Sequence, residues 1–146
     1  MMPTRDEIDA YPLQAFEKLR YADTDRQGHV NNAVFSTMFE TGRVELLYSS
    51  QRSLCAPGCA FVIASLQLDF LGEINWPGNV GIGTRVSSVG RSSVTLEQAL
   101  FQEGACRATA RTVIVQMDET SRKSSPLTPQ ASEHLASLMT SAERAG

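Results

Sequence analysis

Between Asn31 and Ser50 apolar residues recur every three or four positions, with Phe35, Met38, Phe39, Gly42 and Leu46 on one stripe and Val34, Val44, Leu47 and Tyr48 widening it. That period predicts an amphipathic helix buried over most of its circumference. Asn31 is its predicted N-cap, because an Asn side chain accepts a hydrogen bond from a first-turn amide. Gly42 in the helix interior costs about 1 kcal/mol relative to Ala, so its presence predicts another backbone passing close by.

The pattern elsewhere has the period of strands. In AFVIASLQLDFL, residues 60–71, the even positions Ala60, Val62, Ala64, Leu66, Leu68 and Phe70 are apolar, with Ser65, Gln67 and Asp69 on the other face. This predicts a half-buried antiparallel strand ending at the GEINWPG turn, residues 72–78. Residues 79–89, 92–102 and 105–117 read as three more strands, joined through Gly90–Arg91 and Glu103–Gly104. Connections that short make antiparallel neighbours. A first strand is predicted over AFEKLRYA, residues 15–22, with Phe16, Lys18 and Arg20 on one side and Glu17, Leu19 and Tyr21 on the other. A last helix is predicted to start at Thr128 and Pro129, a cap and first-turn pair, with Leu135, Leu138, Met139 and Ala142 as its apolar stripe.

A single helix cannot bury itself, so the simplest packing curls the sheet around it, with the even faces of the strands against the Phe35–Leu46 stripe. The expected class is α+β, a five-stranded antiparallel sheet wrapped around a long central helix, plus a short C-terminal helix. The polar or small outer face of the sheet is expected to be exposed or used for association.

Composition narrows the function. The chain has 146 residues, 42% hydrophobic and 20% charged, the profile of one folded domain. A net charge of −3 argues against a nucleic-acid binder, which needs a clustered excess of Lys and Arg that is missing overall. The charge is uneven, however: Thr84–Lys123 holds six basic and four acidic residues, against seven and twelve in the remainder. A small anionic ligand could use the basic half. No apolar run approaches the ~18 residues of a membrane span, and the N-terminus lacks an apolar signal core, so no membrane partner and a cytoplasmic location are expected. Cys55, Cys59 and Cys106 form no metal-ligand spacing and read as reduced thiols, two in a loop and one in a strand.

The densest polar segment, RYADTDRQGHVNN at residues 20–32, stands at the entrance of the predicted helix. A calcium loop counted from Asp23 would need a carboxylate at Val34 and finds Gln27 at its fifth position, so that reading fails. Two readings remain. In the structural one, Asp23 or Asp25 bonds loop amides, Gly28 permits a positive φ, His29 packs and Asn31 caps the helix. In the catalytic one, the helix N-terminus supplies unpaired amides and partial positive charge for an oxyanion. Asp25, six residues before the cap, would then face it across a small gap. That pair is the minimum for attack on an activated acyl group, directly or through water. No GxSxG segment competes with it, and His134 belongs to the last helix.

The run YADTDRQGHVNNAVFSTMFETGR resembles the signature of the hotdog-fold acyl-CoA thioesterases of the 4-hydroxybenzoyl-CoA thioesterase type, in which an aromatic-x-Asp-x-Asp-x-x-Gly segment leads into the central helix. The similarity runs from about Ala15 to Asp118 and includes GRSSVTLEQALF at residues 90–101. It implies a hotdog domain over 15–120, an N-terminal extension over 1–14, and a loop with the C-terminal helix over 121–146. By position it implies Asp25 as the catalytic carboxylate, nucleophile or general base, and the amide near Asn32 as the donor to the thioester carbonyl. His29 and the Asn31–Asn32 pair match the GHVNN variant of plant acyl-carrier-protein thioesterases, where an equivalent histidine is implicated in catalysis. Arg91, Ser92 and Ser93 match a segment that contacts coenzyme A in some relatives. Phe35 stands where many relatives carry tyrosine, making the acyl pocket more apolar, and the Gly72–Gly78 turn lacks their Arg-Pro.

The implied activity is hydrolysis of an acyl-CoA thioester by a homodimer or homotetramer with its site between subunits, needing no cofactor and no metal. Phe35 and Phe61 are expected to line the acyl pocket, and burial of Asp25 beside them would raise its pKa. Acyl-carrier protein is the alternative carrier. A non-catalytic acyl-CoA-binding hotdog protein is the alternative function, and a hotdog dehydratase lacks its helix-borne Asp/His pair here. Glu40 and Arg43, at i,i+3 spacing, are expected to form a structural ion pair.

Overall fold

The structure, a computed structural model, describes residues 7–49 and 52–139. Ser50 and Ala142, assigned above to the two helices, lie outside them. Strand β1 (Leu13–Lys18) precedes helix α1 (Asn32–Tyr48), the two-residue β2 (Arg52–Ser53), β3 (Cys59–Phe70), β4 (Asn79–Val89), β5 (Ser93–Gln102), β6 (Ala105–Asp118) and helix α2 (Pro129–Ala136). Five strands form one antiparallel sheet in the order β1-β4-β5-β6-β3. This is the hotdog arrangement, with α1 lying in the curl of the sheet.

The caps of both long elements follow the local chemistry. Asn31 has extended φ/ψ, and its side chain accepts from the Ala33 amide at 2.9 Å. Thr128 accepts from Ala131, with Pro129 in the first turn where no amide is missed. The inward faces of β4, β5 and β6 are even-numbered as expected: Val80, Ile82 and Val86, then Val94, Leu96 and Leu100, then Ala108, Ala110 and Ile114. Phe35, Met38 and Phe39 of α1 close one end of this core. Leu46 and Leu47, with Leu127, Ala131 and Leu135 around α2, close the other.

Several expectations change. The first strand ends at Lys18, four residues early, because the Arg20 amide turns back onto the Asp23 carboxylate (2.8 Å) and Tyr21–Asp23 form a 3-10 turn. In that strand Leu13 and Ala15 pack inward while Phe16 is exposed. In β3 the alternation breaks: Ile63 pairs with Ile114 and Ser65 with Val113, leaving Ala64 as a bulge. Phe61 and Ile63 therefore share the helix side with Leu66, Leu68 and Phe70, whose partners are Thr112, Ala110 and Ala108. One extra residue exchanges the faces of everything beyond it. Lastly, part of the outer face is covered by the N-terminal segment. Tyr11, 4% exposed, packs edge-on against Phe101 at 6.0 Å with the Arg85 guanidinium 5.5 Å over its ring.

Gly42 is crowded as predicted, but by side chains. A Cβ there would stand 2.6 Å from Gln98 Nε2, 2.8 Å from Thr84 Oγ1 and 3.1 Å from Ile82 Cγ2. The Gln98 amide donates to the Phe39 carbonyl and to Thr84 Oγ1, both at 3.0 Å, tying the middle of α1 to the sheet. Arg43 is likewise buried, and among the described residues no carboxylate lies at ion-pair distance from it. Burial pushes its pKa down, opposed by Glu40. The expected Glu40–Arg43 contact is absent because Arg43 turns inward while Glu40 is exposed.

Candidate active site

The polar segment before α1 is knitted by its own backbone. The Asp25 amide donates to the His29 carbonyl (2.7 Å) and the Gly28 amide to the Asp25 carbonyl (3.1 Å). Asp25 Oδ1 accepts from the Gln27 amide at 2.9 Å and the His29 amide at 3.3 Å. Gly28 has φ +83° with open space where a Cβ would lie, so backbone conformation and not crowding calls for glycine there. Asp23 is buried and fixes the loop: its carboxylate accepts from the Arg20 amide and guanidinium, and its carbonyl from the Asn31 amide (2.9 Å). Burial pushes the Asp23 pKa up, but the Arg20 amide, hydrogen bond and charge together hold it below the usual carboxylate range.

At the mouth of α1 the Asn31 side chain takes the Ala33 amide and the Asn31 carbonyl takes that of Val34 (2.9 Å). Among the described residues the Asn32 amide meets no hydrogen-bond partner. It is the free donor at the positive end of the helix dipole. Asp25, His29 and Asn32 line one cleft of about 420 Å³, with Phe35 and Phe70 among its apolar residues and Gly72 and Glu73 on its rim. The Phe35 and Phe70 rings meet edge-on at 5.2 Å. A slightly larger cleft, about 460 Å³, opens between α1 and β1–β4 around Gly42, Leu46 and Ile82, away from this loop.

The structure thus brings together Asp25, His29, Asn31, Asn32 and Phe35. In the single chain Asp25 is exposed, so the burial beside Phe35 and Phe61 is not found. Phe61 packs against Tyr48 (5.8 Å) at the far end of α1, where its amide donates to the Tyr48 hydroxyl at 3.1 Å. Arg91 and Ser92 sit in the β4–β5 turn and Ser93 opens β5. The other end of the ten-residue β5 lies beside the His29 loop, because Gln102 bonds Asn75, the bridge partner of His29. Roughly 30 Å of strand separates the two ends.

Two residues escaped the sequence reading. Phe70 is at the cleft because the Ala64 bulge leaves the even positions of late β3 facing α1. The Glu73 carboxylate, Oε2, lies 3.1 Å from His29 Nε2. No sequence signal linked a turn glutamate to a histidine so far along the chain. Among the described residues no group of His, Cys, Asp or Glu is placed to hold a metal. No helix among them is long and apolar enough to cross a membrane.

A hotdog sheet with a polar loop at the mouth of its central helix is the scaffold of thioesterases, and sequence comparison agrees: residues 19–135 match the thioesterase-like superfamily, so the chain belongs to that family. It is 30% identical over 118 residues to the uncharacterized protein YsmA of Bacillus subtilis (strain 168), covering 80% of each chain. The PA5185 protein from Pseudomonas aeruginosa strain PAO1 superposes with a TM-score of 0.82 at 27% identity, over 94% of this chain and 99% of that one. A thioesterase from Thermus thermophilus, complexed with coenzyme A and Zn, superposes at 0.73 with 28% identity, over 86% and 98%.

Proposed function

We propose that the chain is an acyl-CoA thioester hydrolase, cytoplasmic and working as a homodimer or homotetramer. The observation that carries this reading is that Asn32, whose amide has no hydrogen-bond partner among the described residues, lines one cleft together with Asp25, Phe35 and Phe70. A thioester seated there directs its carbonyl oxygen to the Asn32 amide, which stabilises the oxyanion that develops on attack. Asp25 Oδ1 is committed to loop amides, which leaves Oδ2 for the attacking water or for the acyl carbon itself. The products are a free acid and coenzyme A. The coenzyme A in the Thermus thermophilus relative supports that carrier over acyl-carrier protein.

The sheet edge supports that assembly. Ile63, Leu66 and Phe70 on the helix side of β3 are 49%, 43% and 49% exposed, an apolar row on a long unpaired edge strand that requires a cover. A second copy pairing antiparallel along β3 supplies it. The early part of the partner's β3 then lies beside Phe70. Val62, Val115 and Ser93 stand side by side across β3, β6 and β5, so the β4–β5 turn lies on the same end of the sheet as early β3. The site would then combine Asp25 and Asn32 of one chain with the phosphate-binding Arg91, Ser92 and Ser93 of the other.

The test is an acyl-CoA panel of varied chain length, with released thiol as the readout, run on the wild type and on Asp25→Asn. The variant should lose about 10²–10⁴-fold in kcat with its fold and ligand affinity retained. Near-normal turnover would remove Asp25 from the mechanism. The second reading, a binding protein without turnover, draws on the same committed Oδ1, since a purely structural loop aspartate makes those bonds too. Tight acyl-CoA binding with no hydrolysis across the panel would select it.

A further inference from the structure

Arg43 carries a charge that meets no partner among the described residues. It is 7% exposed, and its Nη1 is sealed from solvent without a hydrogen bond. Its other nitrogens make none either, yet they are not sealed, so the guanidinium stays open on one side. Glu40, one turn earlier on α1, is exposed and outside ion-pair range. An arginine remains charged at neutral pH, and a buried charge without a partner is destabilising.

Helix geometry says where this charge looks. Asn32, Ser36 and Arg43 are four and seven residues apart, so they share one flank of α1, with Arg43 three turns beyond Asn32. That flank faces β3. Asn32 lines the cleft with Phe70, Leu71 and Gly72 at the end of β3, whereas the opposite flank meets β1, where Thr41 Oγ1 donates to Glu17 at 3.0 Å. Gly42, between the two flanks, lies over Thr84 and Gln98. Along the flank, Phe35 meets Phe70 near the start of α1 and Tyr48 meets Phe61 near its end. Arg43 falls between these contacts, at the level of the exposed Ile63 and Leu66. Thr112, which pairs with Leu66 across β3 and β6, is fully buried, and its Oγ1 also lacks a partner.

One flank therefore offers, in order, the free Asn32 amide, the apolar Phe70 and Leu66 across from it, and an unpaired guanidinium. The helix from Asn32 to Arg43 rises about 16 Å. An arginine on a helix leans back toward the N-terminus, which shortens the gap to roughly 10 Å, about the length of an extended eight-carbon chain.

We propose that Arg43 reads the far end of the acyl group, and that the thioesters this chain takes are those of dicarboxylic acids, held with the thioester carbonyl at Asn32 and the free carboxylate on the Arg43 guanidinium. This names the substrate class of the hydrolase reading above and rests on it. A hydrocarbon end would leave the guanidinium unpaired, so the discrimination comes from the charge and not from the fit of the methylenes.

The test compares octanedioyl-CoA with octanoyl-CoA on the full chain. The wild type should favour the dicarboxylic thioester about 10–100-fold in kcat/KM, as hydrogen bonds to a charged group do. Butanedioyl-CoA and dodecanedioyl-CoA should both fall below the eight-carbon thioester. Arg43→Met should reverse the preference and, having lost an unpaired buried charge, should melt at or above the wild-type temperature. Arg43→Lys keeps the charge without the planar fork and should retain part of the preference. No preference in the wild type, or the same preference in Arg43→Met, would overturn the proposal. So would an Arg43→Met protein that sediments as a monomer beside a dimeric wild type, because the guanidinium would then belong to the contact with a second copy. Binding is read separately with non-hydrolysable thioether analogues of the two eight-carbon thioesters, whose Kd values should differ by the same factor in the wild type and lose that difference in Arg43→Met. Equal Kd values in the wild type would overturn the assignment of Arg43. Inactivity on every thioester with the Kd difference intact is instead the failure of the hydrolase reading.

Discussion

Replacing Gly42 with Ala should destabilise this protein, although Ala is the better helix former. Taken alone, the exchange favours the folded helix by about 1 kcal/mol. Against it stands a Cβ placed 2.6 Å from Gln98 Nε2 and 2.8 Å from Thr84 Oγ1, where carbon contacts relax to about 3.5–4.0 Å. The Gln98 amide must therefore retreat by roughly 1 Å, which lengthens both of its 3.0 Å bonds, to the Phe39 carbonyl and to Thr84. Gln98 is 1% exposed, so water does not replace what is lost. Buried polar groups left unmatched cost about 1–3 kcal/mol each, giving a gross loss near 4 kcal/mol and a net loss near 3. For a chain of this length that is a fall in Tm of about 10 °C. Urea titration should show the midpoint lowered with the slope unchanged. In a Gln98→Ala background the closest contact and both Gln98 bonds are already gone while the 2.8 Å approach to Thr84 Oγ1 stays, so the same glycine substitution should cost clearly less than in the wild type. A Gly42→Ala protein melting at or above the wild-type temperature would refute the packing account.

Two further outcomes follow from the loop and the sheet edge. Because the folded pKa of Asp23 is depressed, its contribution is complete above the unfolded value near 3.9 and is lost as pH falls through the folded value. Asp23→Asn should thus lower Tm at pH 7, with the gap to the wild type closing below about pH 4; melts across pH 2.5–7 that keep a constant gap would contradict this. Leu66→Arg on the helix side of β3 should give a folded monomer by sedimentation with turnover reduced at least tenfold, and a fully active dimer would remove β3 from the interface.

How much of this was readable in the chain varies by element. Caps and tight turns were legible because their chemistry is local: Asn31 before the apolar stripe, Thr128 before Pro129, Glu103–Gly104 between strands. The β3 register was not, because both parities of early β3 are apolar. Phe61 and Ile63 can serve as the inner face as well as Ala60 and Val62 can, and only pairing with β6 decides. The loop of the candidate site was legible for the same local reason, as one segment, RYADTDRQGHVNN, holds Asp25, His29, Asn31 and Asn32. Glu73 was not, since its approach to His29 depends on Gln102, a strand-end side chain that carries no motif. Phe61 and Phe35, paired by inference, lie at opposite ends of α1 because the helix presents its aromatic neighbours in sequence along the sheet.

The extra residue at Ala64 sets the phase of everything downstream of it in β3. A substitution there leaves that phase intact. Deletion of one residue would swing Leu66, Leu68 and Phe70 to the opposite side of the strand and rotate the turn behind them, so that Glu73 would no longer meet His29. The early part of this strand is therefore strict about length and lenient about identity, and a change of one codon in number there would be felt at a cleft that it does not itself line.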